Sequence, residues 1–232
     1  MNAITFTREA QERLKAYLGR SGYRIPVGLG NEEAACSIAA INIAISGQLT
    51  ARIPDCMSRV IAKWIITTQD VMPDELRNSE RWKAALVLAA GTGRALERER
   101  SDIVVDWMWE IVLPAGQAIA DNYGFGEKWR HMCAERSAKA SHAAAGAGYV
   151  VANAARYHVD EKCFAANIAA YAAYAADSAK YPVDAADYAA SAMKFAASSN
   201  VVGAKVSQSV TWEQLDPIGL LERLNDLSAS VH

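Results

Sequence analysis

The strongest constraint on this chain lies between Ala134 and Ala204, where alanine exceeds a third of all residues. Alanine is the best helix former and one of the poorest sources of buried apolar area. Such a segment folds stably only if its helices approach closely and larger side chains supply the burial. Two aromatic series meet that need. Tyr157, Phe164 and Tyr171 stand seven apart, and Tyr174, Tyr181, Tyr188 and Phe195 repeat at the same interval, offset by three. An aromatic in each heptad gives a ridge of large side chains on helices whose other faces are small. Pro182 interrupts the second series, so it spans at least two helices, the later one capped near Asp184. The spacing across that proline need not mark one face. An alanine-packed bundle is expected rather than a sustained coiled coil, which needs several unbroken heptads.

The rest of the chain is also helical in pattern. No period-2 run bounded by turn residues and no Asn-Gly or Asp-Gly hairpin signal occurs. Thr7 can cap a first helix that places Phe6, Ala10, Leu14, Tyr17 and Leu18 on one face, stopped by Gly19. Asn31, followed by Glu32 and Glu33, reads as the N-cap of a second helix whose AACSIAAINIAISG stretch is apolar all round and therefore central to its domain. Pro54-Asp55 is expected to open a third helix, and Ser79 to cap Glu80–Ala90. A long helix follows from about Arg94 to Leu113, kinked or divided at Pro114 before continuing to Asn122. Asp216-Pro217 opens an amphipathic terminal helix with Leu220, Leu221, Leu224 and Leu227 that is expected to dock on the body. The reading is an all-α, multi-helix bundle. Its domains are a Trp-rich part (1–125), an alanine-rich, closely packed part (126–199), and a linker with the C-terminal helix (200–232).

Composition narrows the function classes. With 232 residues, 52% apolar, 22% charged and a net charge of −2, the chain can bury a core and lacks the profile of disorder. That balance supplies no basic field, so direct nucleic-acid binding is not expected. The opening residues carry no secretory signal, and no apolar run is long enough to span a membrane. Four scattered cysteines read as reduced thiols of a cytoplasmic protein.

Candidate chemistry is sparse. Gly28-x-Gly30-x-x-Glu33 and Gly91-Thr92-Gly93-Arg94 lack the strand and the Lys-Ser/Thr of phosphate loops, so loop glycines and caps are the better reading. His131-x-Cys133 and His158 with Cys163 lack paired zinc-ligand spacing, so no metal or other cofactor is expected. Asp102, Asp106 and Glu110 recur every fourth residue on the long helix and form an acidic stripe facing solvent or a partner. Trp107 and Trp109, two apart, cannot point the same way on an α-helix, which leaves one of them as a candidate interface anchor. Arg136-Ser137, four residues and then His142 fit the loose Arg-polar-x4-His pattern of the HEPN ribonucleases, which are all-α. That resemblance implies that Arg136 and His142 flank a scissile phosphate in acid/base and charge-stabilising roles.

Several strings resemble, taken together, alanine-rich accessory proteins of phages and prophages. They are Cys36-Ser37-Ile38-Ala39-Ala40-Ile41-Asn42, Pro54-Asp55-Cys56-Met57, Ala90-Gly91-Thr92-Gly93-Arg94, Asp106-Trp107-Met108-Trp109 and Leu113-Pro114, with the alanine-rich stretch and the Asp216–Leu227 ending. The likeness covers most of the chain and carries no catalytic motif. It implies a mobile-element setting, in which proteins of this size act as stoichiometric antagonists of host defence, anti-CRISPR proteins included. The expectation is a non-enzymatic module that binds a host protein or protein complex through Asp102, Asp106, Trp109, Glu110, Tyr171 and Tyr174, with self-association left open. A toxin-neutralising immunity protein and a HEPN-type ribonuclease using Arg136 and His142 are the alternatives.

Overall fold

The computed structural model describes residues 6–154, 159–198 and 211–229. Among them the chain is an all-α bundle without a strand, the one β feature being an isolated bridge between Gly30 and Ala35. It forms two compact units, one of Met1–Arg100 with Ile218–His232 and one of Ser101–Pro217.

In the first unit, α1 (Arg8–Leu18) starts at Thr7, whose Oγ1 accepts from the Ala10 amide at 3.2 Å, and buries Ala10, Leu14 and Leu18. The central helix α2 (Ser37–Ser46) buries Ile38, Ala39, Ala40, Ile41 and Ala44, and Gly47 ends it at φ 73°. It starts later than its sequence suggests. Asn31 does cap a turn, its Oδ1 accepting from Glu33 and Ala34 amides. The Asn31 amide, however, donates to Ala34 O at 3.1 Å and Cys36 N to Leu29 O at 3.0 Å. Those cross-bonds close a loop instead of propagating a helix, so Cys36 becomes the N-cap.

Helix α3 (Arg59–Gln69) likewise opens at Ser58 rather than at Pro54-Asp55. The Glu97 carboxylate accepts from Ser58 Oγ at 2.7 Å, Arg59 N at 2.6 Å and Val60 N at 3.1 Å, satisfying amides that the first turn leaves unpaired. Short α4 (Asp74–Arg77) leads into α5 (Glu80–Ala89), capped as expected by Ser79. Helix α6 (Glu97–Trp107) carries the chain into the second unit.

There, Met108–Val112 is a π-turn in which Leu113 N–H reaches back to Met108 O. Pro114 explains it: proline offers no N–H to the carbonyl four residues earlier, so the ladder re-registers just before it. Next come α7 (Leu113–Ala115), α8 (Gln117–Asn122) and α9 (Gly126–Glu135). The break at Gly116 leaves room for Trp129, whose Nε1 donates to Leu113 O at 2.8 Å. Three long helices follow: α10 (Ala138–Ala154), α11 (Val159–Asp177) and α12 (Pro182–Ser198), the last starting at Pro182 itself rather than near Asp184. Their shared interior is mostly alanine. At Gly148 an added Cβ would lie 2.9 Å from the Ala166 Cβ, so α10 and α11 cross there too closely for a further side-chain carbon.

Short α13 (Trp212–Leu215) precedes α14 (Pro217–Ala229), which docks in the first unit. Asn225 Nδ2 donates to Ala85 O at 3.0 Å and Arg81 Nε to Glu222 Oε1 at 2.8 Å. The domain boundary therefore falls at Arg100/Ser101, not near Gly124. The π-turn, with Trp109, packs with α12, and the C-terminal helix returns to the first unit. Tyr157, the side chain of Phe164 and positions 200–210 of the expected linker lie outside the described residues.

Candidate functional site

The acidic stripe faces solvent as expected: Asp102, Asp106 and Glu110 are all exposed. Trp109 does not join them. It is 5% exposed, and Trp107 and Met108 beside it are buried too, so neither tryptophan is a free anchor. Trp107 donates from Nε1 to Leu215 O at 3.1 Å. Three consecutive buried side chains mean that this segment is walled in over most of its circumference.

Tyrosines form the real surface feature. Tyr171 and Tyr174 on α11 meet Tyr188 and Phe195 on α12. Tyr171 stacks on Phe195 with centroids 5.3 Å apart, Tyr174 lies 5.5 Å from Tyr188, and Tyr171 and Tyr174 touch edge to face at 6.0 Å. The cluster is only half covered: Tyr174 is 46% exposed, and Tyr171, Tyr188 and Phe195 are each partly accessible. Tyr188 and Phe195, seven apart on α12, meet Tyr171 and Tyr174, three apart on α11, because the chain folds back before Pro182, while Tyr181 at that turn stays 55% exposed. Tyr188 and Phe195 belong to the face although neither stood among the expected partner-binding residues.

His142 of α10 extends the cluster, its ring 6.1 Å from Tyr174 and its Nε2 3.2 Å from Asp177 Oδ2. Beyond His142, α10 exposes Ala143, Gly146 and Val150, the last 69% accessible. With Phe125, Glu127 and Lys128 they border a groove of about 600 Å³. The face thus runs from an aromatic cluster to an open small-residue groove.

Arg136 is the left-handed C-cap of α9 at φ 49°, and its guanidinium stands 3.6 Å from the Glu110 carboxylate. The structure therefore gives Arg136 and His142 separate carboxylate partners, Glu110 and Asp177. The glycine segments are structural. Asp70 Oδ1 accepts from Gly28 N at 3.0 Å, where a bound phosphate would need that donor, and Gly93 N donates to Cys56 O at 2.9 Å. His131 pairs with Glu135 at 3.4 Å, and burial pushes the Cys133 thiol up to about 11, which leaves it protonated at neutral pH. Among the described residues no cluster of metal-ligating side chains occurs, and His158 and the side chain of Cys163 lie outside them. No described helix is long and apolar enough to cross a membrane. Comparison with family models, with characterised proteins and with solved structures gives no match.

Proposed function

We propose that the chain is a non-enzymatic protein-binding module that engages its partner through the tyrosine-lined face of the second unit. The observation that carries this reading is the half-covered ring cluster. Rings that pack on one another yet stay in water hold apolar area that a partner can still bury, and tyrosine suits such anchors. The neighbouring groove offers shape, while Asp102, Asp106 and Glu110 offer charge elsewhere on the same unit. In its finer form the module is a phage or prophage accessory protein of the cytoplasm. There it binds and blocks, or remodels, a host defence assembly in the manner of anti-CRISPR proteins. The support for that setting is the resemblance of the strings from Cys36 to Leu227. The separate pairing of Arg136 and His142 favours binding over phosphate chemistry.

The test compares the wild-type chain with a Tyr174→Ser, Val150→Ser variant as bait in a bacterial lysate, with captured proteins identified by mass spectrometry. Both side chains are exposed, so circular dichroism should be unchanged while the specific partner is lost. Capture that survives in the variant removes this face from consideration. A second variant, Asp106→Asn with Glu110→Gln, tests the acidic stripe and should weaken capture by about tenfold or less, as solvent-screened charges do. RNA cleavage abolished by His142→Ala would instead establish the nuclease.

A further inference from the structure

The first unit holds a small cavity of about 150 Å³ that none of the preceding chemistry uses. Leu29, Cys36, Ile38 and Ile66 line it, and Gln69 and Asp70 add its polar side. That volume is close to what a benzene-sized apolar group fills. Leu29 and Ile66 are themselves exposed, as is Val27 next to Gly28 in the chain, so the cavity opens to solvent between apolar side chains. A lone small molecule in the cavity would leave those side chains in water. A protein surface covers both.

Asp70 is the one charged residue lining the cavity, and its position is fixed. Buried Gln69 accepts from Ser37 N at 2.7 Å through Oε1 and donates from Nε2 to Asp70 Oδ1 at 3.1 Å. Gly28 N donates to the same Oδ1 at 3.0 Å. Both bonds fall on Oδ1, which leaves Oδ2 to meet an incoming cation. The apolar floor and the oriented carboxylate together specify the occupant.

We propose that this cavity is a docking site for one branched or aromatic side chain of a partner protein, with an adjacent lysine or arginine of that partner set against Asp70. This contact is separate from the tyrosine face. Neither Tyr174 nor Val150 lines the cavity, so the two readings succeed or fail independently.

The probes are three acetylated, amidated tetrapeptides, Gly-Leu-Arg-Gly, Gly-Ala-Arg-Gly and Gly-Leu-Glu-Gly, titrated into the full-length chain and followed by amide NMR. The Leu-Arg peptide should shift the Gly28, Ile66 and Asp70 amides saturably, with a dissociation constant on the order of 1 mM. Replacing Leu by Ala should weaken binding about tenfold or more, through the lost apolar burial. Replacing Arg by Glu should weaken it as well, and Asp70→Asn, which keeps an acceptor for Gly28, should erase the difference between the Arg and Glu peptides. Ala51→Phe, at an exposed loop position on the cavity wall, should fill the site and remove the shifts. The proposal is overturned by any of four results: no saturable shift, equal binding of the Leu and Ala peptides, equal binding of the Arg and Glu peptides, or unchanged binding to Ala51→Phe.

Discussion

Arg100 shows how much of the first unit hangs on single polar anchors. Its side chain is 0% exposed and donates to Thr92 O at 2.9 Å, Gly93 O at 3.0 Å and Leu224 O at 3.4 Å. The fork ties the turn before α6 to the backbone of α14. Desolvation lowers the affinity of Arg100 for its proton, and the nearby Glu97 and Glu99 oppose that shift. Arg100→Ala should cost about 3–5 kcal/mol in urea unfolding, because it strands buried carbonyls and opens a void. Arg100→Lys should recover only part of that loss, since an ammonium cannot reach several carbonyls with a planar fork. In the sequence Arg100 looks like any other charge in the run ERERSD, because nothing local says that the chain's last helix will cover it. Trp109 poses the same difficulty in reverse: its apolar character is plain, but whether it meets solvent or α12 is decided by tertiary packing. Tyr171 and Tyr174 were legible as ridge residues, because a pair three apart shares a helix face whatever the helix packs against.

Among the elements, α10 carries a pair of glycines with opposite meanings. A Cβ on Gly148 would press on Ala166 at 2.9 Å from its Cβ and 3.1 Å from its Cα, whereas a Cβ on Gly146 meets nothing within 4 Å. Gly146→Ala should therefore stabilise the chain by about 0.5–1 kcal/mol, the ordinary gain in helix propensity. Gly148→Ala should destabilise it by about 1–2 kcal/mol, because the α10–α11 crossing must widen despite the same propensity gain. Thermal unfolding of the two variants, two residues apart on one helix, separates packing from propensity; melting points that move together would contradict the close crossing. Helix identity was largely readable in advance, since alanine content and apolar periodicity are local properties. The starts of α2 and α3 were not. The Gly30–Ala35 bridge and the distant Glu97 carboxylate set them, and neither is visible within a window of sequence. Pro114 announced a break, but not that the ladder would absorb it as a π-turn.

At the scale of the whole molecule, the first unit is assembled from two separated stretches of chain. Besides apolar burial, α14 is held there by the Arg81–Glu222 pair, whose hydrogen bonds keep the Glu222 carboxyl below its usual range. A carboxyl depressed in the folded state stabilises it above the unfolded value near 4.5, and that contribution disappears as pH falls through the folded value. Wild type should thus lose a small increment of stability as pH falls below about 4.5, less than about 1 kcal/mol because both side chains are partly exposed. Glu222→Gln should be less stable at neutral pH and lack that increment of acid sensitivity in urea titrations at each pH. The domain cut was illegible because composition changes near Gly124 while contacts change at Arg100. A discontinuous unit also sets an order in time. The ribosome delivers Met1–Arg100 first, then all of Ser101–Pro217, and only then the helix that completes the first core. The second unit is complete in sequence once Pro217 is made, whereas Ala85 and Arg100 of the first wait for their α14 partners, Asn225 and Leu224, until the second unit has been translated. Residues of the first unit made before Ser101 therefore reach their final partners on α14 only after the whole second unit has been made.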